Sequence, residues 1–320
     1  MEMNAKSYMI GDIEVTPVDA ALGAFVECGD LRKMTADRFK HVRQAWLDNL
    51  VLVFRGHQLD DGALLDFCKN FGTLGLPPPP AKMAADQAPR DPRYPGIGII
   101  SNVIENGLAI GAFGAGEAVW HTDMAYEEIP HDGTMLYSLE IPPVGGDTWF
   151  GNMYHAYATL PKDLLARLKG KSLKHDLVYK PDGKRRKGYE PKPDVREMPG
   201  TVHPIIRTHP ETGLNALYLG QRRNAYIMGL SVQESEDLLN EVWAHVDRPE
   251  STWNHLWKVG DLLVWDNRCA MHRRDSFDDK YRRVMHQARV TGTKPFVSDE
   301  AFAMSAHKRG YSQLSAATTN

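Results

Sequence analysis

His121-Thr122-Asp123, answered far along the chain by His272, most narrows what this sequence can fold into. Residues two apart on an extended segment share a face, so the imidazole and the carboxylate of the first pair project together. A distant histidine can then close a three-point metal cap, which obliges the fold to bring two remote segments into contact. Imidazole and carboxylate suit Fe(II), and three protein ligands on one side leave positions open for substrate and O₂, as in mononuclear non-haem iron sites. H-x-D is also common as a surface or hydrogen-bonded polar cluster, so the rest of the chain has to decide.

The 320 residues, 42% hydrophobic and 25% charged, can build a sizeable core, and the length suits one large domain spanning 1–320. A formal charge of −3 argues against nucleic acid or an acidic membrane as the main partner and leaves a small molecule. Cys28, Cys68 and Cys269 are odd in number and lack C-x-x-C spacing, so no disulfide framework or zinc ribbon is expected. Cys269 reads as a small apolar filler. Without a basic head and apolar run at the start, or an apolar stretch long enough to span a bilayer, a reducing cytoplasm is expected.

Ile13-Glu14-Val15 reads as a strand, and Thr35 caps a helix with Phe39, Val42 and Trp46 on its buried stripe. Val51 to Phe54 is a strand, followed by a helix carrying Leu64, Phe67, Cys68 and Phe71. The proline run at 77–80 opens a stiff loop that either walls a pocket or simply connects. Strand character resumes at Gly96 to Ile100, and Gly111 to Gly116 is a pliable lead-in to His121 that can gate a site. The glycines from Gly107 to Gly116 have the wrong spacing for a phosphate loop, so no nucleotide site is inferred. Leu160-Pro161 opens a short helix with Leu164, Leu165 and Leu168.

A polar insert over 169–199 holds the basic run Lys184-Arg185-Arg186-Lys187, read as a solvated face, with an anion-attracting lid as the alternative. Ser231 and Glu234 form a capping box for a helix burying Leu238, Val242 and Val246. Leu262 to Trp265 is a buried strand leading to His272, and the tail over 303–320 reads as frayed. Strands dominate the ligand-bearing half, giving an α+β class with a β core over about 13–296.

Several ordered segments resemble one family, the taurine dioxygenase/TfdA group of Fe(II)- and 2-oxoglutarate-dependent dioxygenases. They are Val51-Leu52-Val53-Phe54-Arg55-Gly56, Phe71-Gly72, Trp120-His121-Thr122-Asp123 and Pro142-Pro143-Val144-Gly145-Gly146-Asp147-Thr148. His203-Pro204, Arg207-Thr208-His209-Pro210, Trp265-Asp266-Asn267-Arg268 and Arg282-Arg283-Val284-Met285-His286 follow in order. The resemblance implies a double-stranded β-helix (jelly-roll) core with flanking helices and insertions, and a dimer or tetramer. It implies that His121, Asp123 and His272 bind iron, and that Arg283, with Thr148 assisting, holds the distal carboxylate of 2-oxoglutarate. A guanidinium fork suits that carboxylate because it offers a bidentate, charge-assisted clamp. The implied reaction consumes O₂ and 2-oxoglutarate, releases succinate and CO₂, and hydroxylates a C–H bond; desaturation, cyclisation or epimerisation share the ligand set.

Taurine-specific members carry an arginine four residues after the cosubstrate arginine, where this chain has neutral Gln287. The resemblance therefore points away from taurine and toward a carboxylate, with aryloxy acids as the nearest class. Such an anion is anchored by Arg222, Arg223 or Arg289, whereas a weakly polar substrate suits Gln287. The other histidines read as packed or surface residues, with His209 in a structural hydrogen bond and Trp265 and Asn267 supporting His272 from behind. A metal-dependent isomerase or hydrolase on a cupin-like barrel, and a non-catalytic binding protein, are the rival classes; 2-oxoglutarate turnover separates them.

Overall fold

A computed structural model of the chain describes residues 6–76, 88, 89 and 91–298. The proline run at 77–80 and the tail over 303–320 lie outside the described residues. Strands and helices are mixed, and two sheets carry the architecture. The larger has eight strands in the order Tyr8–Ile10, Ile13–Pro17, Ala24–Glu27, Val51–Phe54, Leu262–Asp266, His131–Glu140, Val284–Thr291 and Gly98–Ser101. The smaller has four, in the order Thr252–His255, Thr148–Asn152, Ala270–Arg274 and Ala118–His121, all antiparallel.

Alternation along the large sheet divides its side chains between two cores, because successive residues point to opposite faces. Leu52, Phe54, Met135, Tyr137, Leu262, Val264, Ala288 and Val290 face outward onto helices Ala36–Asn49 and Asp61–Cys68, meeting Val42, Trp46, Leu64 and Phe67. Val51, Val53, Leu136, Leu263, Trp265 and Met285 face inward, where they join Phe150, Ala270 and Met271 of the small sheet. The Phe150 and Trp265 ring centroids, one from each sheet, lie 5.6 Å apart.

The helix signals act as their chemistry requires. Thr35 Oγ1 accepts from the Arg38 amide at 3.2 Å. Ser231 and Glu234 form the full capping box, and the helix Val232–Val246 buries Leu238, Val242 and Val246. Phe71 falls just beyond its helix, in a single 3₁₀ turn Lys69–Phe71. The short helix near Leu160 spans Lys162–Leu168.

The polar insert departs from expectation. Its first part forms the strand Ser172–Asp176, paired on both sides by Gly200–Pro204 and Tyr226–Ile227. Lys174, His175 and Asp176 are buried there, so polarity hid the strand. Burial is tolerated in part because Asp176 accepts from the Val178 amide at 2.7 Å and from Asn224 Nδ2 at 2.9 Å.

Phe67 holds the outer core together, with its ring 5.3 Å from Phe54 and 5.6 Å from Phe71, both edge-on. Phe67→Ala is expected to cost about 3–5 kcal/mol through lost burial and the cavity left behind. Urea unfolding measures this, and an unchanged midpoint would show that the ring cluster does not anchor the helix.

Candidate active site

His272 lies in the middle of Ala270–Arg274, directly opposite His121 on one neighbouring strand and Phe150 on the other. Cross-strand register therefore sets the two imidazoles side by side, with ring centroids 4.1 Å apart. Asp123 Oδ1 lies 3.7 Å from His121 Nε2 and 3.9 Å from His272 Nε2. The ligand atoms of the three residues all fall within 4.8 Å of one another.

Strand alternation does not place Asp123, because the strand Ala118–His121 ends before it. A turn does so instead, held by the Thr122 amide donating to Gly220 O at 3.1 Å and by a positive φ of 56° at Met124. That conformation is uncommon for a residue with a side chain and marks a locally forced bend.

Hydrogen bonds hold two of the donors in orientation. His121 Nδ1 donates to the Val119 carbonyl at 2.8 Å, which leaves the Nε2 lone pair facing the other two residues. Thr134 Oγ1 donates to Asp123 Oδ2 at 2.7 Å, Asn267 Nδ2 donates to Thr134 Oγ1 at 2.8 Å, and Trp265 Nε1 donates to Asn267 Oδ1 at 3.0 Å. Trp265 and Asn267 thus brace Asp123 by hydrogen bonds, not His272 as expected. Trp265 meets His272 only through its ring, 4.8 Å away.

Electrostatics favour an ion-binding state. Burial works against ionisation of Asp123, yet His272, His121, Arg289 and the Thr134 hydroxyl outweigh it and hold the carboxyl at about 2. Burial, with His121 alongside, pushes His272 down to about 3, and burial lowers His121 as well. Two neutral imidazoles and one carboxylate converge from one side, a donor set that suits a divalent first-row metal with open positions opposite.

Thr148 opens the strand Thr148–Asn152 and sits opposite Arg274 on one side and His255 on the other. Trp257 Nε1 donates to its hydroxyl at 3.0 Å, leaving the Thr148 O–H free to donate. Gly145 and Gly146, with φ of 78° and 72°, make the turn before it. A Cβ on Gly146 would lie 3.3 Å from Arg283 Nε, so the missing side chain lets the backbone crowd that guanidinium.

Arg283 lies one residue before the strand Val284–Thr291 and is fully buried. Its amide donates to Asn102 Oδ1 at 3.0 Å, while its Nε and Nη2 have no partner. Burial and the nearby charge of Arg274 push it down to about 9. Arg274 is a residue that sequence reasoning missed. It stands two positions after His272, is buried, is lowered to about 10 mainly by that burial, and has a partnerless Nε. Its Nη2 donates to the carbonyls of Gly114 and Gly116, pinning the glycine-rich lead-in.

Gln287 is buried and accepts through Oε1 from Arg289 Nη2. Arg289 is partly exposed, and its charge reaches Asp123. The other two candidate anchors have partners of their own. Arg222 is occupied by Glu236 at 2.6 Å and Asn240 at 2.8 Å on the helix Val232–Val246. Arg223 is exposed, its guanidinium 3.5 Å from the centre of the Tyr179 ring.

A second group, His209, Asp266 and Cys269, has metal-ligand residue types but is a buried ion-pair core. Arg268 grips both oxygens of Asp266 at 2.8 and 2.7 Å, and His209 Nε2 bonds Oδ2 at 3.0 Å. Cys269 is a buried thiol, as expected. His155, His203, His245, His255 and His286 each bond a neighbouring hydroxyl, carbonyl or carboxylate.

Comparison with known proteins agrees with this geometry. Residues 14–289 match the family described as taurine catabolism dioxygenase TauD, TfdA family. An alpha-ketoglutarate-dependent 2,4-dichlorophenoxyacetate dioxygenase from Cupriavidus pinatubonensis is 31% identical over 289 residues, covering 86% of this chain and 96% of the relative. A pentalenolactone F synthase from Streptomyces arenae is 32% identical, over 86% of this chain and 94% of the relative. Among solved structures, a putative alpha-ketoglutarate-dependent taurine dioxygenase from Burkholderia xenovorans superposes with a TM-score of 0.71 at 29% identity, over 96% of this chain and all of that one. AAD-2 in complex with Mn(II) and N-oxalylglycine superposes at 0.70 with 28% identity, over 89% and 99%.

The relatives define the class: this is a 2-oxoglutarate-dependent oxidoreductase. This chain belongs to the TauD/TfdA dioxygenase family.

Removing the Thr134 hydroxyl tests the brace on Asp123. Thr134→Val is expected to weaken divalent-metal binding by about 10–100-fold, the usual cost of losing a hydrogen bond that orients a ligand. Calorimetric titration with Mn(II) measures it, and wild-type affinity would show that the Trp265–Asn267–Thr134 chain is only structural.

Proposed function

We propose that the chain is a single-domain Fe(II)/2-oxoglutarate dioxygenase on a double-stranded β-helix, hydroxylating a small carboxylate, most nearly an aryloxy acid, rather than taurine. In this reading His121, Asp123 and His272 hold the iron, Arg283 and Thr148 hold 2-oxoglutarate, and Gln287 and Arg289 face the substrate. The observation that carries it is Arg283, fully buried, with a guanidinium edge that meets no partner. A buried cation left without a counter-charge is costly, so the site is built for an anion.

Hydrogen-bond donors and positive charge meet at that anion. Arg283 supplies a fork for one carboxylate of a dicarboxylate, Thr148 has a hydroxyl proton to give, and Arg274 adds a second buried positive charge. Bound by the three donors, iron would supply the activation of O₂ needed to oxidise a C–H bond. The residues' own task is to fix the cosubstrate, keep both imidazoles unprotonated and exclude water. The net change balances: 2-oxoglutarate, O₂ and R–H give succinate, CO₂ and R–OH.

The substrate class rests on relatives named for 2,4-dichlorophenoxyacetate and (S)-phenoxypropionate, and on the neutral Gln287. Self-association as a dimer or tetramer and residence in a reducing cytoplasm belong to the same proposal. The latter is supported by three buried free thiols and by the absence, among the described residues, of a helix able to cross a membrane.

Arg283→Gln is expected to weaken 2-oxoglutarate by roughly 2–5 kcal/mol, about 30-fold to several thousand-fold, because the partner carboxylate is left unpaired. Near-normal affinity in that variant would refute the clamp. A screen of phenoxyacetates, alkanesulfonates, sulfate esters and taurine should show the largest succinate release with an aryloxy acid. Taurine-dependent sulfite release rivalling the best substrate would overturn the substrate class.

A further inference from the structure

The basic run Lys184-Arg185-Arg186-Lys187 is not uniformly solvated. Lys184, Arg185 and Lys187 are exposed, but Arg186 is partly buried, and its Nε is buried with no hydrogen-bond partner. The hairpin that carries it is tied down: Arg186 N donates to Val178 O at 2.7 Å, Lys180 N donates to Lys184 O at 2.9 Å, and Tyr179 bridges Arg185. That hairpin docks beside the ligand strand, where the Val119 amide donates to Pro181 O at 3.1 Å.

Tyr126, three residues after Asp123, receives the Arg186 side chain. The guanidinium carbon sits 4.0 Å from the ring centre, a close cation–π stack that fixes the plane of the fork. Thr201 Oγ1 holds the Tyr126 carbonyl at 2.6 Å and so steadies this platform. Arg289 approaches the same region from the strand Val284–Thr291, where it lies directly opposite Thr134, the residue whose hydroxyl holds Asp123. Arg186, stacked on the ring three residues beyond Asp123, and Arg289, opposite the residue that braces Asp123, are thus each one contact away from the segment that carries that carboxylate.

Elsewhere in the chain arginines are commonly neutralised: Arg43, Arg55, Arg167, Arg222, Arg268 and Arg282 all hold carboxylates. Among the described residues, Arg186 and Arg289 have no ion pair, and each has a buried Nε without a partner. Arg289 is turned by Gln287, whose Oε1 takes one of its Nη2 protons. Two unpaired guanidiniums beside the metal donors leave a charge that Arg283 and its cosubstrate do not neutralise.

Resting on the function proposed above, we propose that Arg186, stacked on Tyr126, and Arg289 form a two-arginine subsite that grips the carboxylate of the substrate. The insert hairpin thereby supplies the substrate contact that neutral Gln287 cannot. Arg186 sets specificity by selecting an anionic group over a neutral one of similar shape.

The test uses full-length protein loaded with metal and 2-oxoglutarate without O₂, and titrates phenoxyacetate and its neutral analogue 2-phenoxyethanol calorimetrically. Arg186→Gln should raise the Kd for phenoxyacetate about 10- to 100-fold, leave that for 2-phenoxyethanol within about twofold, and leave the Kd for 2-oxoglutarate unchanged. Arg186→Lys should recover part of the loss, since it restores charge without the planar fork. Arg185→Gln, its exposed neighbour paired with Glu190, should bind phenoxyacetate like the wild type.

Unchanged phenoxyacetate affinity in Arg186→Gln, or equal weakening of the neutral analogue, would overturn the subsite while leaving the dioxygenase assignment intact. Failure of the wild type to bind phenoxyacetate or any other carboxylate would overturn the substrate class and the subsite together. Failure to bind 2-oxoglutarate would refute the dioxygenase reading itself.

Discussion

The antiparallel pairing of Ala270–Arg274 with its two neighbours is the constraint on which the site depends. His272 is registered against His121 on one side and Phe150 on the other, so a one-residue slip would turn it out of the site and into the opposite face. Met271, buried in the inner core on the same strand, makes such a slip expensive because it would have to leave that core. The hydrophobic core thereby fixes an imidazole pair that has no strong local reason to meet. Thr148 and Arg274 are carried on the same ladder, which ties the anion-binding region to the metal donors through backbone geometry.

Buried polar groups then refine what the strands position. Asp123 sits on a turn, and its direction depends on the chain from Trp265 through Asn267 and Thr134. That chain starts on the inward face of the strand Leu262–Asp266, whose last residue, Asp266, is clamped by Arg268 and His209. Two neighbouring residues thus serve different purposes: Asp266 locks the loop that follows, while Asn267 reaches toward the carboxylate. A satisfied network of this kind has one low-energy arrangement, because any broken link leaves a buried polar atom unpaired.

The distribution of charge tells the same story from outside the metal donors. Among the described residues, many arginines hold carboxylates, whereas Arg186, Arg274, Arg283 and Arg289 hold no ion pair and each has a buried Nε without a partner. Proteins keep buried cations when a ligand supplies the counter-charge, since desolvation without it would be a net loss. Under the proposed function, two separate anions, a cosubstrate and a substrate, are the counter-charges of the two pairs. The glycine-rich lead-in enters the same arrangement, because Arg274 takes the carbonyls of Gly114 and Gly116 and so couples that loop to the ladder bearing His272.

Residue types and order alone made much of this legible. The convergence of His121, Asp123 and His272 and the capped helices at Thr35 and Ser231 follow from local chemistry or from motif order, while the cosubstrate roles of Thr148 and Arg283 rest on the family resemblance and remain part of the proposal. Helix caps and amphipathic stripes are short-range, so the sequence carries them whole. The structure decided what depends on distant partners. Asp123 is aimed by a turn and not by strand alternation, Arg222 is taken by a helix while Arg289 is left open, and the polar segment Ser172–Asp176 is a buried strand. Arg186 reads in sequence as part of a solvated basic run and Arg274 has no local signal at all, and only the side chains packed against them show what they do. Whether a charge is spent or free is a property of its neighbours in space, and no local pattern in a chain records it.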